Sequence, residues 1–218
     1  MKEINFYLIR HGQTEWNVLE RMQGSQNSPL TEKGIEGAKI TGQYLASMPF
    51  ICAYSSTQQR AIDTRDYILA EHNPSVPAIP RFEDADFCEM DFGLWEGQPI
   101  AELNLQDDFQ LYLNSPRVFT AESNQGEHTL AVLARMQQGL EKIIAQYDTG
   151  NVLIVSHGTA LRILLNAIRG CEWYAYRDET HSPRIANTSV SIVNFKQADH
   201  QSVGQFSLQQ YNDVNHLG

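Results

Sequence analysis

Two stretches of the chain repeat one pattern. Residues 4–9 are nearly all apolar and are closed by Arg10-His11-Gly12, which predicts a buried strand ending in a glycine turn. Residues 151–155 do the same ahead of Ser156-His157-Gly158, and the run Thr159-Ala160-Leu161-Arg162-Ile163-Leu164-Leu165 that follows predicts a helix. Between the two units, Ile35, Ala38, Gly42 and Leu45 recur at helical spacing behind Thr31, a good N-cap. Ala61, Ile62, Arg65, Ile68 and Leu69 predict a second helix, and Leu133, Met136, Leu140, Ile143, Ile144 and Tyr147 a third, ended by Gly150. Residues 188–195 alternate like a half-buried strand, with 205–211 as its partner. Strands interleaved with helices predict an α/β fold with a mostly parallel central sheet. The segment at about 99–125 breaks the pattern: it is acidic and polar, and reads as a partly helical insertion able to cap a site.

Composition narrows the picture. The chain has 218 residues and is 42% hydrophobic, enough for one domain with a sizeable core, spanning 1–218 with the cap-like insertion. No apolar run reaches the roughly 20 residues that cross a bilayer, and the start shows no separate apolar leader region, so a cytoplasmic location and no membrane partner are expected. The three cysteines, Cys52, Cys88 and Cys171, are widely spaced with no CxxC, which fits free thiols. A net charge of −10 speaks against nucleic-acid binding. A small phosphorylated metabolite remains open, because its pocket needs only a few local cations. The sequence allows a homodimer.

The chemistry is suggested by the two His-Gly turns. Ligands of open α/β sheets bind beyond the carboxyl ends of strands, where both turns fall. If the two strands are neighbours, His11 and His157 share a crevice. Two unit charges about 4 Å apart interact by roughly 4 kcal/mol at an effective dielectric near 20, so a few arginines hold a phosphate monoester strongly. Arg10 and Arg60 are the candidates. A neutral imidazole can attack phosphorus, and the second can donate to the equatorial oxygens. A carboxylic acid must protonate the leaving oxygen. Glu89 is the best placed of an acidic cluster that includes Asp86, Asp91 and Glu96, with Asp91 the alternative. The remaining histidines, His72, His128, His181, His200 and His216, lack metal-ligand spacing, so neither a metal nor another cofactor is expected.

Taken together these residues resemble the histidine phosphatase superfamily, also called phosphoglycerate mutase-like. Arg10 to Asn17 (RHGQTEWN) is similar to its first-histidine motif, and Ser28-Pro29-Leu30-Thr31-Glu32-Lys33-Gly34 to the PLTxxG stretch. Ser56 to Thr64 resembles the S-x-x-x-RA-x-x-T segment, Glu89 with Gly93-Leu94-Trp95-Glu96-Gly97 the acid-bearing segment, and Ser156-His157-Gly158 the second-histidine motif. The resemblance implies a three-layer sandwich. It also implies a metal-independent phosphatase that passes through a phosphohistidine on His11. Arg10, Arg60 and His157 would complete the phosphate pocket, and Glu89 would be the proton donor. Asn17, Gln23, Gly24 and Gly158 would make lesser contacts with substrate. The family's mutases usually carry a longer basic insertion, whereas 99–125 holds only Arg117, and Asn17 to Gly24 looks most like the broad-specificity phosphatases. Ser25 and Asn27 depart from the Trp and Asp common there. Arg184 and His128 are further candidates for the rim, and Trp95 reads as packing. The alternatives are a mutase-type phosphotransferase, a non-catalytic phospho-ligand module and a metallophosphatase.

Overall fold

The first apolar run is the centre of a six-stranded sheet. The computed structural model describes residues 1–72, 78–199 and 201–218. In chain order the elements are β1 (Lys2–Arg10), α1 (Glu15–Val18), α2 (Glu32–Leu45), β2 (Phe50–Ser55), α3 (Gln59–Ala70), β3 (Arg81–Glu83), α4 (Ile100–Leu103), α5 (Asp107–Asn114), α6 (Thr129–Gln146), β4 (Thr149–Ser156), α7 (Gly158–Ile168), β5 (Val190–Gln197) and β6 (Gln205–Asp213). The strand order is β3-β2-β4-β1-β5-β6. β1, β2, β3 and β4 pair in parallel, while β5 pairs antiparallel with both β1 and β6. The fold is therefore α/β with a mostly parallel sheet, as the sequence pattern predicts.

Alternation along β1 explains the continuous apolar run. Phe6 and Leu8 point to one face, where Met136 and Leu140 of α6 and Leu161 and Leu165 of α7 pack. Tyr7 and Ile9 point to the other, against Ala38 and Leu45 of α2 and Ala61 and Ile68 of α3. A strand covered by helices on both faces needs apolar side chains at every position. α2 begins where expected: Thr31 accepts the Gly34 N–H at 3.0 Å. The third helix differs slightly at its end. α6 stops at Gln146 and the backbone is already extended at Tyr147, while Gly150 belongs to β4, at φ +130°.

The insertion holds α4 and α5 and packs on the same face of the sheet as α6 and α7. Phe109, Tyr112 and Phe119 bury themselves around Trp95, whose ring lies 5.1 Å from Phe109 and 5.4 Å from Phe119. The acidic residues of this segment, among them Asp107 and Asp108, face outward, while Leu103, Phe109, Tyr112 and Phe119 are buried and Leu105, Leu111 and Val118 remain exposed. No helix among the described residues is long and apolar enough to cross a membrane.

Candidate active site

The sheet register brings the two histidine turns together. Arg10 of β1 pairs with Ser156 of β4, and the His11 N–H donates to the Ser156 carbonyl at 2.9 Å. The two imidazole rings consequently sit 5.1 Å apart, centre to centre. Both are buried, His11 at 3% exposure and His157 at 0%. His11 Nδ1 lies 2.7 Å from the Gly12 carbonyl. A carbonyl only accepts, so Nδ1 carries the proton and Nε2 keeps its lone pair. Burial first, then the Arg60 and Arg10 charges, push His11 well below its ordinary 6.5, outweighing the Gly12 carbonyl. His157 is pushed well below 6.5 by burial, Arg60, His11, Arg10 and Arg135. Both rings are therefore neutral at neutral pH. His157 Nε2 lies 2.7 Å from Ser56 Oγ, and Nδ1 has no hydrogen-bond partner among the described residues.

Two guanidinium groups stand beside the rings. Arg10 is fixed by a hydrogen bond from Nη1 to the Ile185 carbonyl at 2.7 Å, and its Nε has no partner among the described residues. The glycine after His157 makes this approach feasible: a Cβ on Gly158 would lie 3.2 Å from Arg10 Nε. Arg60, 1% exposed, donates from Nη2 to the Gly24 carbonyl at 2.7 Å and from Nη1 to the Gln26 carbonyl at 2.8 Å. Burial lowers Arg60 to about 10, with Glu89 and Glu96 opposing the shift, so it remains a cation at neutral pH. Gly24 thus serves the site through its carbonyl, which also accepts from Gln58 Nε2 at 2.7 Å.

Of the acidic cluster, Glu89 alone reaches the cavity. Its Oε1 accepts the Ala160 N–H at 2.8 Å and the Met90 N–H at 2.8 Å, and its Oε2 accepts the Thr159 N–H at 2.9 Å. The Glu89 carboxyl group is thus held by three backbone N–H groups, two of them from the first turn of α7. Asp91, the alternative, is turned away and accepts the Gly93 N–H at 2.7 Å. Glu96 holds the Ser25 and Gln26 N–H groups, each at 2.7 Å, and Asp86 pairs with Lys142 at 2.7 Å. A residue the sequence reading did not pick out fixes the Glu89 backbone. Arg135 donates to the carbonyls of Asp86, Cys88 and Glu89 at 2.9, 2.6 and 3.0 Å, and is itself gripped by Glu127 at 2.8 and 2.9 Å.

The profile of the histidine phosphatase superfamily (branch 1) matches residues 6–207. The chain belongs to the histidine phosphatase superfamily. It is 32% identical to a protein named probable phosphoglycerate mutase GpmB of Proteus mirabilis, over 98% of this chain and 95% of that protein. It is 30% identical to one named uncharacterized phosphatase PhoE of Bacillus subtilis, over 96% and 95%. The solved structure of YhfR from Bacillus stearothermophilus superposes with a TM-score of 0.86 at 31% identity, covering 99% of this chain and all of that one.

In this histidine phosphatase family member a cavity of about 410 Å³ opens on the two turns. Arg10, His11, Glu89, Asn17, Gln23 and Gly158 line it. Arg60, His157 and Gly24 are not among the residues that line it; His157 is buried against His11, the Arg60 charge acts on the His11 ring, and Gly24 holds Arg60 through its carbonyl. Gln23 is held by Thr14 and Ser28, each at 2.9 Å, and Asn17 Oδ1 accepts the Thr14 N–H at 3.1 Å. His128 instead caps α6, its Nδ1 accepting the Leu130 N–H at 3.2 Å. His72 lies against the Met48 carbonyl at 2.9 Å, His181 against Asp178 at 2.7 Å and His216 against Thr41 at 2.9 Å, while His200 lies outside the described residues. Arg184 lines the cavity, and so do Arg21, Arg162 and Arg177, which the sequence reading missed. Arg162 carried one signal, a cation inside the apolar run of α7. Among the described residues no group of three or more His, Cys, Asp or Glu side chains is placed to hold a metal ion.

Proposed function

We propose that the protein is a metal-independent phosphatase of small-molecule phosphate monoesters, working through a phosphohistidine on His11. One observation carries the reading: two buried, neutral imidazoles 5.1 Å apart, with His11 Nε2 free and the Arg10 guanidinium lining the same cavity. In the first step the Nε2 lone pair attacks phosphorus and the ester P–O bond breaks. The leaving oxygen takes a proton from the Glu89 carboxyl and departs as an alcohol. In the second step water attacks the phosphohistidine, gives its proton to Glu89, and the P–N bond breaks. Inorganic phosphate leaves and the imidazole returns to its starting form. Arg10, Arg60 and the His157 Nδ1–H would bind the equatorial oxygens, where charge builds in both steps. His157 donates in this way if Ser56 gives its own proton to Nε2. Asn17, Gln23 and Gly158 would contact the bound ester.

A mutase reading has some support in the name of the Proteus mirabilis relative. The insertion speaks for hydrolysis, because the side chains it turns to the cavity are mostly apolar: Ile100, Phe109, Tyr112 and Leu113. Without a basic grip from that segment, product alcohol leaves and water meets the phosphohistidine.

The test is a substrate panel in excess chelator, with and without a bisphosphoglycerate primer, on the protein and on His11→Ala. Turnover should survive chelation and ignore the primer. The His11→Ala protein should lose both turnover and the acid-labile phosphoenzyme. Full activity in that variant, or activity that only added metal restores, would overturn the reading.

A further inference from the structure

We propose that Asn187 is a positioning residue of this site: held on the His11 carbonyl, it turns the Asn17 amide so that Asn17 Nδ2 offers its N–H groups to the phosphoryl group under attack. The proposal rests on the phosphatase reading for what occupies the cavity.

The segment leading into β5 grips the first histidine turn from a point 176 residues further along the chain. The Ile185 carbonyl accepts from Arg10 Nη1 at 2.7 Å, the Thr188 N–H donates to the Arg10 carbonyl at 2.9 Å, and Asn187 Nδ2 donates to the His11 carbonyl at 2.9 Å. The segment is itself fixed. Asn212 of β6 accepts the Ala186 N–H at 2.7 Å and donates to the Arg184 carbonyl at 3.0 Å, and the Thr188 carbonyl accepts from Thr41 of α2 at 3.1 Å. Thr188 sits at φ +57°, a left-handed backbone that is strained for a β-branched residue and persists because its neighbours hold it.

Asn187 Nδ2 has a second hydrogen, and Asn17 Oδ1 lies 3.3 Å from the nitrogen. The direction of these bonds follows from the partners. The His11 carbonyl only accepts, so the Asn187 atom facing it is the nitrogen. Asn17 Oδ1 also takes the Thr14 N–H at 3.1 Å, so the Asn17 atom facing Asn187 is the oxygen. With Oδ1 engaged by two donors, the Asn17 amide cannot flip without leaving both unpaired.

Asn17 Nδ2 therefore lies on the side away from Thr14 and Asn187, and it has no hydrogen-bond partner among the described residues. Asn17 lines the cavity with His11, so these two N–H groups are free for phosphoryl oxygens, where bonds to a charged acceptor are strong. Gln23, beside it in the lining, differs: both ends of its amide are taken, by Thr14 and Ser28. One side chain, Asn187, thus ties the backbone of the nucleophile and a phosphate donor into a single unit.

The test is a double-mutant cycle on Asn187 and Asn17. It reads the affinity for inorganic phosphate by calorimetry and kcat/KM on 4-nitrophenyl phosphate. Asn187→Leu keeps most of the side chain's bulk and removes both donors. Asn17→Ala and Asn187→Leu should each weaken phosphate binding and lower kcat/KM about tenfold or more, the scale of a hydrogen bond to a charged group. Because one residue acts through the other, the double variant should lose no more than about twofold beyond the worse single variant. A residue that only staples the loop gives losses that multiply, to about a hundredfold, and that outcome overturns the proposal. Full affinity in Asn187→Leu overturns it too. The Asn17 Nδ2 resonance of 15N-labelled protein, identified by its absence from Asn17→Ala, should shift on adding phosphate and stop shifting in Asn187→Leu; a shift that persists counts against the role. If Asn187→Leu does not fold, Asn187→Ala, which adds no bulk, runs the same cycle. Failure of the phosphatase reading looks different. The unmodified protein would then neither bind phosphate nor turn over the ester, and both claims fall, whereas binding and turnover with multiplying losses remove only Asn187.

Discussion

Acidification should unfold this protein earlier than its carboxylates alone would dictate, because His11 and His157 are buried neutral. Both fall well below 6.5 in the folded chain, chiefly through burial. The unfolded chain exposes them near the ordinary value, so below pH 6.5 it binds more protons than the folded one. Their contribution is therefore fully present above about 6.5 and is lost as the pH falls. At pH 5.5 one such imidazole costs about RT ln(1 + 10), or about 1.4 kcal/mol, and the pair costs about 2.8 kcal/mol. At 3% and 0% exposure the rings have little solvent to screen this. The assay is urea unfolding at about pH 7.5 and pH 5.5 for the protein and for His11→Gln/His157→Gln. Groups common to both proteins cancel in the comparison. The unmodified protein should lose about 2–3 kcal/mol more between the two pH values than the double variant. Parallel losses would refute the claim that both rings are held neutral.

Other consequences concern the acid and the loops around it. Glu89→Gln should cut kcat by about 10²- to 10⁴-fold on alkyl phosphates and much less on an activated aryl phosphate, and equal losses would remove Glu89 as proton donor. Arg135→Met should lower kcat about 10- to 100-fold with KM little changed, since it lets the Glu89 backbone shift. If Arg135 acts through Glu89, its loss is also largest for poor leaving groups; a uniform loss would mean general destabilisation. Gly34→Ala gains helix propensity, yet its Cβ would meet the Gln13 carbonyl at 2.1 Å, so the denaturation midpoint should fall by the equivalent of about 1–3 kcal/mol. A rise would show that the loop after His11 yields.

Much of the centre of this site was legible along the chain. A buried strand followed by His-Gly is a local signal, and it occurs twice, so His11, His157 and Arg10 could be named without coordinates. The helices were legible for the same reason: 3.6-residue periodicity and a Thr31 cap are short-range features. β2 and β3 were not picked out. β3 is three exposed residues, too short for any periodicity to register. Arg135 and Arg177 were missed because a charged residue on a helix or turn looks solvated until something covers it.

The sequence alone determined the residue types and the strand-end turns, because these depend on neighbours a few positions apart. Tertiary structure decided which turns meet. β1 and β4 lie more than a hundred residues apart in the chain, and only their parallel register sets two imidazoles 5.1 Å from each other. It also chose among the acids. Glu89 and Asp91 are two residues apart and chemically alike, but the N-terminus of α7 faces only the first. Finally, it turned the insertion's apolar side toward the cavity and its acids toward water, because burying an uncompensated charge costs more than exposing one. That orientation cannot be read from net composition.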